Sequence, residues 1–203
     1  MLTDKTVREF SDEVASSSPA PGGGSVSALC GNLSAALVSM VSNLTIGKEK
    51  YAAVEAEMKA VVSESEELRS QLLGLVDEDT DAFNAVMAAF KLPKDSAERK
   101  AALEAAFKQA AGVPLRTAKL CYRCMALSEA VLEKGNKNSV TDAAVAGLVA
   151  YAGLQGAILN VRINLGSIKD GDYVNSTKAE AEKLSRDANI LIGRLTNTAN
   201  SRI

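Results

Sequence analysis

Apolar residues recur three and four positions apart along almost the whole chain, the period of a helix with one buried face. Residues 4–15 place Val7, Phe10 and Val14 on one side of a short helix that Thr3 or Asp4 is positioned to cap. Ser16 to Gly24, reading Ser-Ser-Ser-Pro-Ala-Pro-Gly-Gly-Gly, breaks it. Residues 25–45 are apolar or small nearly all round, through Val26, Leu29, Leu33, Leu37, Met40, Val41 and Leu44. Their length also suits a membrane span. Asn32, Asn43 and five serines between 25 and 42 favour instead a central helix surrounded by protein. The longest periodic stretch, 49–91, carries Leu68, Leu72, Leu75, Phe83, Val86 and Phe90, and Leu92-Pro93 ends it. A helix from Asp95 or Ser96 to about residue 133 follows, with Pro114 as a kink or break and Gly135-Asn136 closing it. Residues 139–167 form another apolar helix, rich in Ala and Gly. The last helix begins after Lys169-Asp170-Gly171-Asp172 and runs to the C-terminus. No strand-like alternation, fixed-period repeat or linker interrupts the pattern. The expectation is all-α: one domain over 1–203, an antiparallel bundle of five to six long helices. Two helices without a polar face in so small a chain predict that the bundle dimerises, one face meeting a second subunit.

Composition sharpens this picture. The core must be built from small parts, since 33 Ala stand against four Phe, four Tyr and no Trp. Ala is the strongest helix former and lets helices approach closely. The formal charge of −2 argues against a basic nucleic-acid grip or a polybasic membrane anchor. There is no His, which excludes His-ligated zinc, a Ser-His-Asp triad and a His general base. Chemistry must run on carboxylates, Lys, Asn, Ser, Tyr or Cys. Three cysteines are too few for a disulfide framework. With an N-terminus that lacks an apolar signal core, they predict a cytoplasmic protein. Cys121-Tyr122-Arg123-Cys124 has neither a second pair nor a βαβ setting, so these read as ordinary thiols.

Five segments remain as candidates for chemistry. Gly22, Gly23 and Gly24 before a helix leave backbone N–H groups open to an anion, with Ser25 as a helix cap; the same run also serves as a flexible connection. Asp79, within Asp77-Glu78-Asp79-Thr80-Asp81, continues the apolar row of Leu68, Leu72, Leu75, Val86 and Phe90. A carboxylate in a core-facing row needs a partner, and its displaced pKa suits acid–base work. The alternative is a solvated acidic turn or an Asp bonded to a Lys. Asn138 and Asp142 present polar groups at another helix mouth, where Ser139 and Asp142 also have capping-box spacing. Asn160 and Asn164, four apart on an apolar helix, serve ligand contact or interhelix hydrogen bonding. Lys48 ends a long, mostly uncharged stretch, and is a proton carrier or a surface charge.

Taken together and in order, Pro19–Leu29, Leu44–Tyr51, Asp77–Lys94, Val113–Ala118, Gly135–Val149 and Leu159–Leu165 resemble the cyclodeaminase/cyclohydrolase family. That family is the C-terminal half of formiminotransferase-cyclodeaminase together with stand-alone methenyltetrahydrofolate cyclohydrolases. The resemblance implies an all-helical homodimer that binds a folate substrate near the subunit interface, without metal or redox cofactor. It implies hydrolysis of 5,10-methenyltetrahydrofolate to 10-formyltetrahydrofolate, which the absence of a formiminotransferase half favours, or closure of 5-formiminotetrahydrofolate with loss of ammonia. A non-catalytic folate-binding or helical interaction module is a third reading. The motif positions assign Asp79 and Asp142 as acid–base or pterin-binding groups, with Lys48 assisting. Gly22, Gly23, Gly24, Ser25, Asn138, Asn160 and Asn164 are then substrate-binding. An anionic glutamate tail would fall to Lys48, Lys50, Lys94 or the Gly22–Gly24 amides. Neither nucleic acid nor membrane is expected as a partner.

Overall fold

A computed structural model describes residues Met1–Ile203, and every regular element in it is helical. The helices are α1 (Val7–Val14), α2 (Gly23–Asn43), α3 (Glu55–Phe90), α4 (Ala97–Lys134), α5 (Val140–Leu165) and α6 (Gly171–Asn200). Short 3₁₀ turns at Leu2–Asp4, Glu49–Val54 and Lys137–Ser139 join or precede them. The bundle is the expected all-α architecture. The ends differ in instructive ways. Thr6, not Thr3 or Asp4, caps α1, through a reciprocal box with Glu9. Residues 49–54 wind as a 3₁₀ turn before α3 begins. Pro114 sits inside an unbroken α4. Ser96 caps α4 as predicted, accepting the Arg99 amide. Ser139 makes no side-chain cap at the start of α5, so the capping-box spacing of Ser139 and Asp142 is not used.

The centre of the bundle is α2, packed on three sides. Ser25 and Asn32 hydrogen-bond the α3 carbonyls of Val76 and Arg69. The Cys124 thiol of α4 lies against the Gly31 carbonyl. Ser27 and Cys30 face α5 at Gly156 and Gly153. Small residues make this possible. A methyl group added at Gly153 would fall 2.7 Å from the Ser27 carbonyl, and one at Gly31 2.7 Å from the Cys121 sulfur. Met58, Leu72, Met125, Leu132, Leu154 and Ile158 are the largest side chains in the sealed core.

The fourth side of α2 is open and carries Leu33, Leu37, Met40 and Leu44, of which Leu33 is 51% exposed. Along α5, Val145, Leu148, Leu159 and Ile163 form a second exposed row. The contacts of Ser27 with Gly156 and Cys30 with Gly153 show that α2 and α5 run antiparallel. Each row lies about 80° around its helix from that contact line, in the same rotational sense when each helix is followed from N to C. On antiparallel helices that face each other the same sense points the same way, so the two rows form one broad apolar face. By length and composition α2 and Lys137–Leu165 pass as membrane-crossing helices; in the bundle, α2 is a core helix with one open side.

Candidate active site

The N-terminus of α2 explains the site. Gly22 is its N-cap residue and has no side chain to satisfy the first amides. Asp79, reaching across from α3, does so instead: its Oδ2 accepts the Ser25 N–H at 2.9 Å. Asp79 can come this close because residue 24 is glycine. A Cβ there would stand 2.0 Å from Asp79 Oδ1. Ser25 is therefore not the cap of α2 but its third residue, fully buried behind the carboxylate. The Ser25 hydroxyl lies 3.2 Å from Asp79 Oδ2 and 2.8 Å from the Val76 carbonyl. It has one proton to give, and the carbonyl is the nearer acceptor.

Asp79 thus receives one firm hydrogen bond and no cation. Burial wins over the two Ser25 contacts, and the carboxyl is held above its ordinary pKa. Its neighbours in sequence are placed quite differently. Asp77 takes the Leu2 amide and the Thr3 hydroxyl, tying down the N-terminus, while Glu78 pairs with Arg116 on the surface. Of the three, Asp79 alone lines the cavity at the N-terminus of α2.

That cavity has a volume of about 350 Å³. The Pro19–Gly24 segment, whose Ala20–Pro21 peptide is cis, and Asp79 close one end. Phe83, Val86, Met87 and Phe90 of α3 line it with Phe107 and Ala110 of α4 and Asn160, Ile163 and Asn164 of α5. Phe90 and Phe107 meet edge to face, with ring centres 6.1 Å apart. Asn164 spends both amide N–H groups on the protein, and Asn160 spends one of its two. Asn160 Nδ2 donates to the Gly156 carbonyl, and Asn164 Nδ2 donates to the carbonyls of Ala110 and Asn160. The interhelix bond read from sequence is thus made by Asn164 to α4, and both side chains still border the cavity. Asp79 Oδ1 accepts nothing from the protein, unlike Oδ2.

The structure brings together Gly22, Gly23, Gly24, Asp79, Asn160 and Asn164, with Ser25 immediately behind them. It does not bring Lys48, Asn138 or Asp142 to them within one chain. Asp142 lies eighteen residues before Asn160 on α5, about 27 Å along the helix. Lys48 and Asn138 are exposed at that far end. There the Tyr51 hydroxyl accepts the Lys137 amide, and Asn136 Nδ2 donates to the Leu44 carbonyl. Lys50 lies over the Tyr51 ring, 4.9 Å from its centre. The Lys137 N–H, with Lys50 and Lys48 nearby, lowers the Tyr51 pKa. Sequence reasoning assigned Phe83, Val86 and Phe90 to the core row and passed over Met87 and Phe107. The available signal was length: the α3 row continues for eleven residues past Asp79, beyond the N-terminus of α2 that Asp79 meets.

The fold and site define an all-helical protein whose central helix N-terminus is capped by a half-buried carboxylate at the end of an apolar, aromatic-walled pocket. The description formiminotransferase-cyclodeaminase attaches to a family model that matches residues 6–183. The chain belongs to that family. It is 45% identical, over the full length of both chains, to methenyltetrahydrofolate cyclohydrolase of Methylorubrum extorquens. It is 35% identical to formimidoyltransferase-cyclodeaminase of Rattus norvegicus, across 92% of this chain and 35% of that protein. The fold superposes on the crystal structure of formiminotetrahydrofolate cyclodeaminase from Thermotoga maritima with a TM-score of 0.92. The sequence identity is 32%, covering 99% of this chain and 98% of that one.

Proposed function

We propose that the protein hydrolyses 5,10-methenyltetrahydrofolate to 10-formyltetrahydrofolate. Asp79 carries the reading: one carboxylate oxygen is anchored on the α2 N-terminus and the other is open to an apolar pocket. The cationic methenyl carbon takes up water, and Asp79 accepts the proton that water sheds, leaving a carbinolamine. The bond from that carbon to N5 then breaks. N5 gains a proton from Asp79, the hydroxyl loses its own, and the formyl group stays on N10. The net change is one water consumed and one proton released. A carboxyl whose pKa is raised by burial suits both halves of the cycle, as base and then as acid. Water and one proton carrier suffice, so the reaction as proposed requires no metal or redox cofactor. Support comes from the full-length similarity to the Methylorubrum extorquens cyclohydrolase. The test is the near-ultraviolet decay of the methenyl substrate. Acceleration proportional to protein, lost in Asp79→Asn while the fold is kept, is the expected result.

A second reading is closure of 5-formiminotetrahydrofolate with release of ammonia, favoured by the similarity to the Thermotoga maritima cyclodeaminase fold. In it Asp79 protonates the departing amine. Ammonia production without methenyl hydrolysis selects it. Folate binding with neither reaction selects the non-catalytic module.

We also infer that a second copy covers the apolar face of α2 and α5. A two-fold axis through the middle of that face exchanges its ends. Lys48, Asn138 and Asp142 of one copy then approach the Asp79 pocket of the other, which accounts for motif residues about 27 Å apart in one chain. Mixing inactive Asp79→Asn and Asp142→Asn proteins tests this: regained activity is expected, and none refutes the shared site. The three free thiols suit a cytoplasmic setting for this enzyme.

A further inference from the structure

The pocket has a direction. Its acid end, at Asp79, lies eleven residues before Phe90 on α3, about 16 Å along the helix axis. Between them the walls are apolar and aromatic, with Phe83, Met87 and Phe107. Beyond Phe90 stands Arg99, the third residue of α4. Its guanidinium carbon is 5.6 Å from the centre of the Phe90 ring, the same ring that borders the pocket. Arg99 is half-buried, and it makes no ion pair. Its one side-chain hydrogen bond goes from Nη1 to the Leu92 carbonyl at 3.2 Å. Arg116, Arg123 and Arg194, by contrast, are each matched with a carboxylate. A guanidinium held in place by stacking and by a backbone contact keeps several N–H donors for an incoming anion.

We propose that Arg99 binds the carboxylate tail of the substrate and so fixes which way round it lies in the pocket. The assignment rests on the folate reading above. Folate strings a hydrogen-bond-donating ring, a flat aminobenzoyl group and an anionic glutamate end to end. The pocket offers a carboxylate and then an aromatic trough, and Arg99 stands outside its lining, against the Phe90 ring at the trough's far end. Asp79 at one end and Arg99 at the other repel the reversed orientation, because it would set the tail carboxylates against Asp79. Lys94 is exposed in the α3–α4 turn, five residues before Arg99. The lysines considered from sequence, Lys48 and Lys50, lie at the other end of this chain and do not form this subsite.

The test compares two substrates and three proteins. The substrates are methenyltetrahydrofolate and its analogue with both glutamate carboxyls converted to amides. The proteins are wild type, Arg99→Met and Arg99→Lys. Arg99→Met keeps the apolar stem over Phe90 and removes the charge, and thermal unfolding checks its fold. The expected loss falls on KM, about ten- to a hundredfold for the natural substrate. Arg99→Lys recovers part of it. The diamide binds wild type as weakly as the natural substrate binds Arg99→Met, and the substitution adds no further loss with the diamide. Wild-type turnover that Arg99→Met leaves unchanged, or reduces equally for both substrates, overturns the tail assignment alone. Absence of turnover and of binding in wild type overturns the folate reading, and this assignment with it.

Discussion

Gly24→Ala is the most discriminating single substitution the structure offers. The added Cβ would stand 2.0 Å from Asp79 Oδ1, 2.4 Å from its Cγ and 2.6 Å from Oδ2, where real contacts stay above 3.0 Å. Helix α3 cannot retreat as a body, because Leu75, Val76 and Ala82 on either side of Asp79 are buried. The carboxylate must swing away by about 1 Å or more. A misplacement of that size costs about a hundredfold in rate, or about 2.7 kcal/mol in barrier. Stability moves much less. Losing a charge-assisted hydrogen bond to the Ser25 amide costs about 1.5–3 kcal/mol, while Gly→Ala within a helix returns about 1 kcal/mol. The net is a fall in Tm of a few degrees, at about 2–4 °C per kcal/mol for a chain of this size. Gly193→Ala is the control. It lies within α6, and no atom approaches its added Cβ within 4 Å, so it should gain about 0.5–1 kcal/mol and leave turnover unchanged. The assays are methenyl decay and thermal unfolding on the same preparations. A folded Gly24→Ala protein with wild-type turnover would refute the claim that Asp79 works from the position it occupies here.

Three further outcomes follow from the same geometry. Asp79→Asn should be stabilised relative to wild type at neutral pH, since burial raises the carboxyl's folded pKa and makes its charged form unfavourable. The stability tied to the protonated acid is fully present below its ordinary value near 3.8 and is lost as pH rises through the folded value. The Tm gap between variant and wild type should therefore widen as pH rises from about 3.8 through the folded value and level off above it, and a gap that stays constant across that window sinks the argument. Cys124, its thiol pushed up to about 12 by burial, should resist alkylation at pH 8 in the native protein and react after unfolding; rapid native labelling contradicts the packing. Leu154→Ala, at a fully buried core position, should cost about 2–5 kcal/mol by denaturant titration, and a loss below about 1 kcal/mol would place Leu154 outside the core.

Helix number, order and approximate ends were legible because each depends on period and on local breakers. The Asp79 candidate was legible for the same reason: it occupies a core-facing turn between Leu75 and Val86. What periodicity cannot carry is which element sits opposite. Ser25 looks like a cap at its position after three glycines, yet the cap is supplied by a residue 54 positions away. Ser139 and Asp142 have the spacing of a capping box, yet a 3₁₀ turn precedes the helix and no side-chain cap forms. Arg99 was invisible for a similar reason. Its meaning lies in the Phe90 ring beneath it and in the absence of a carboxylate beside it, both facts of packing.

The same contact that builds α2 also prepares the reaction. A helix N-terminus with a glycine cap leaves an amide in need of an acceptor, and Asp79 supplies it at the expense of its own solvation. Were the Ser25 hydroxyl free to donate to Asp79 as well, the carboxylate would be better held and its pKa would fall. The Val76 carbonyl, 0.4 Å nearer, competes for that proton. Ser25→Ala should therefore shift the acid limb of the pH–rate profile less than loss of a dedicated hydrogen-bond donor would, while freeing the Val76 carbonyl to destabilise the fold. A large shift of that limb with unchanged stability would show instead that the hydroxyl serves Asp79. The two measurements separate a serine that builds the helix junction from one that tunes the acid.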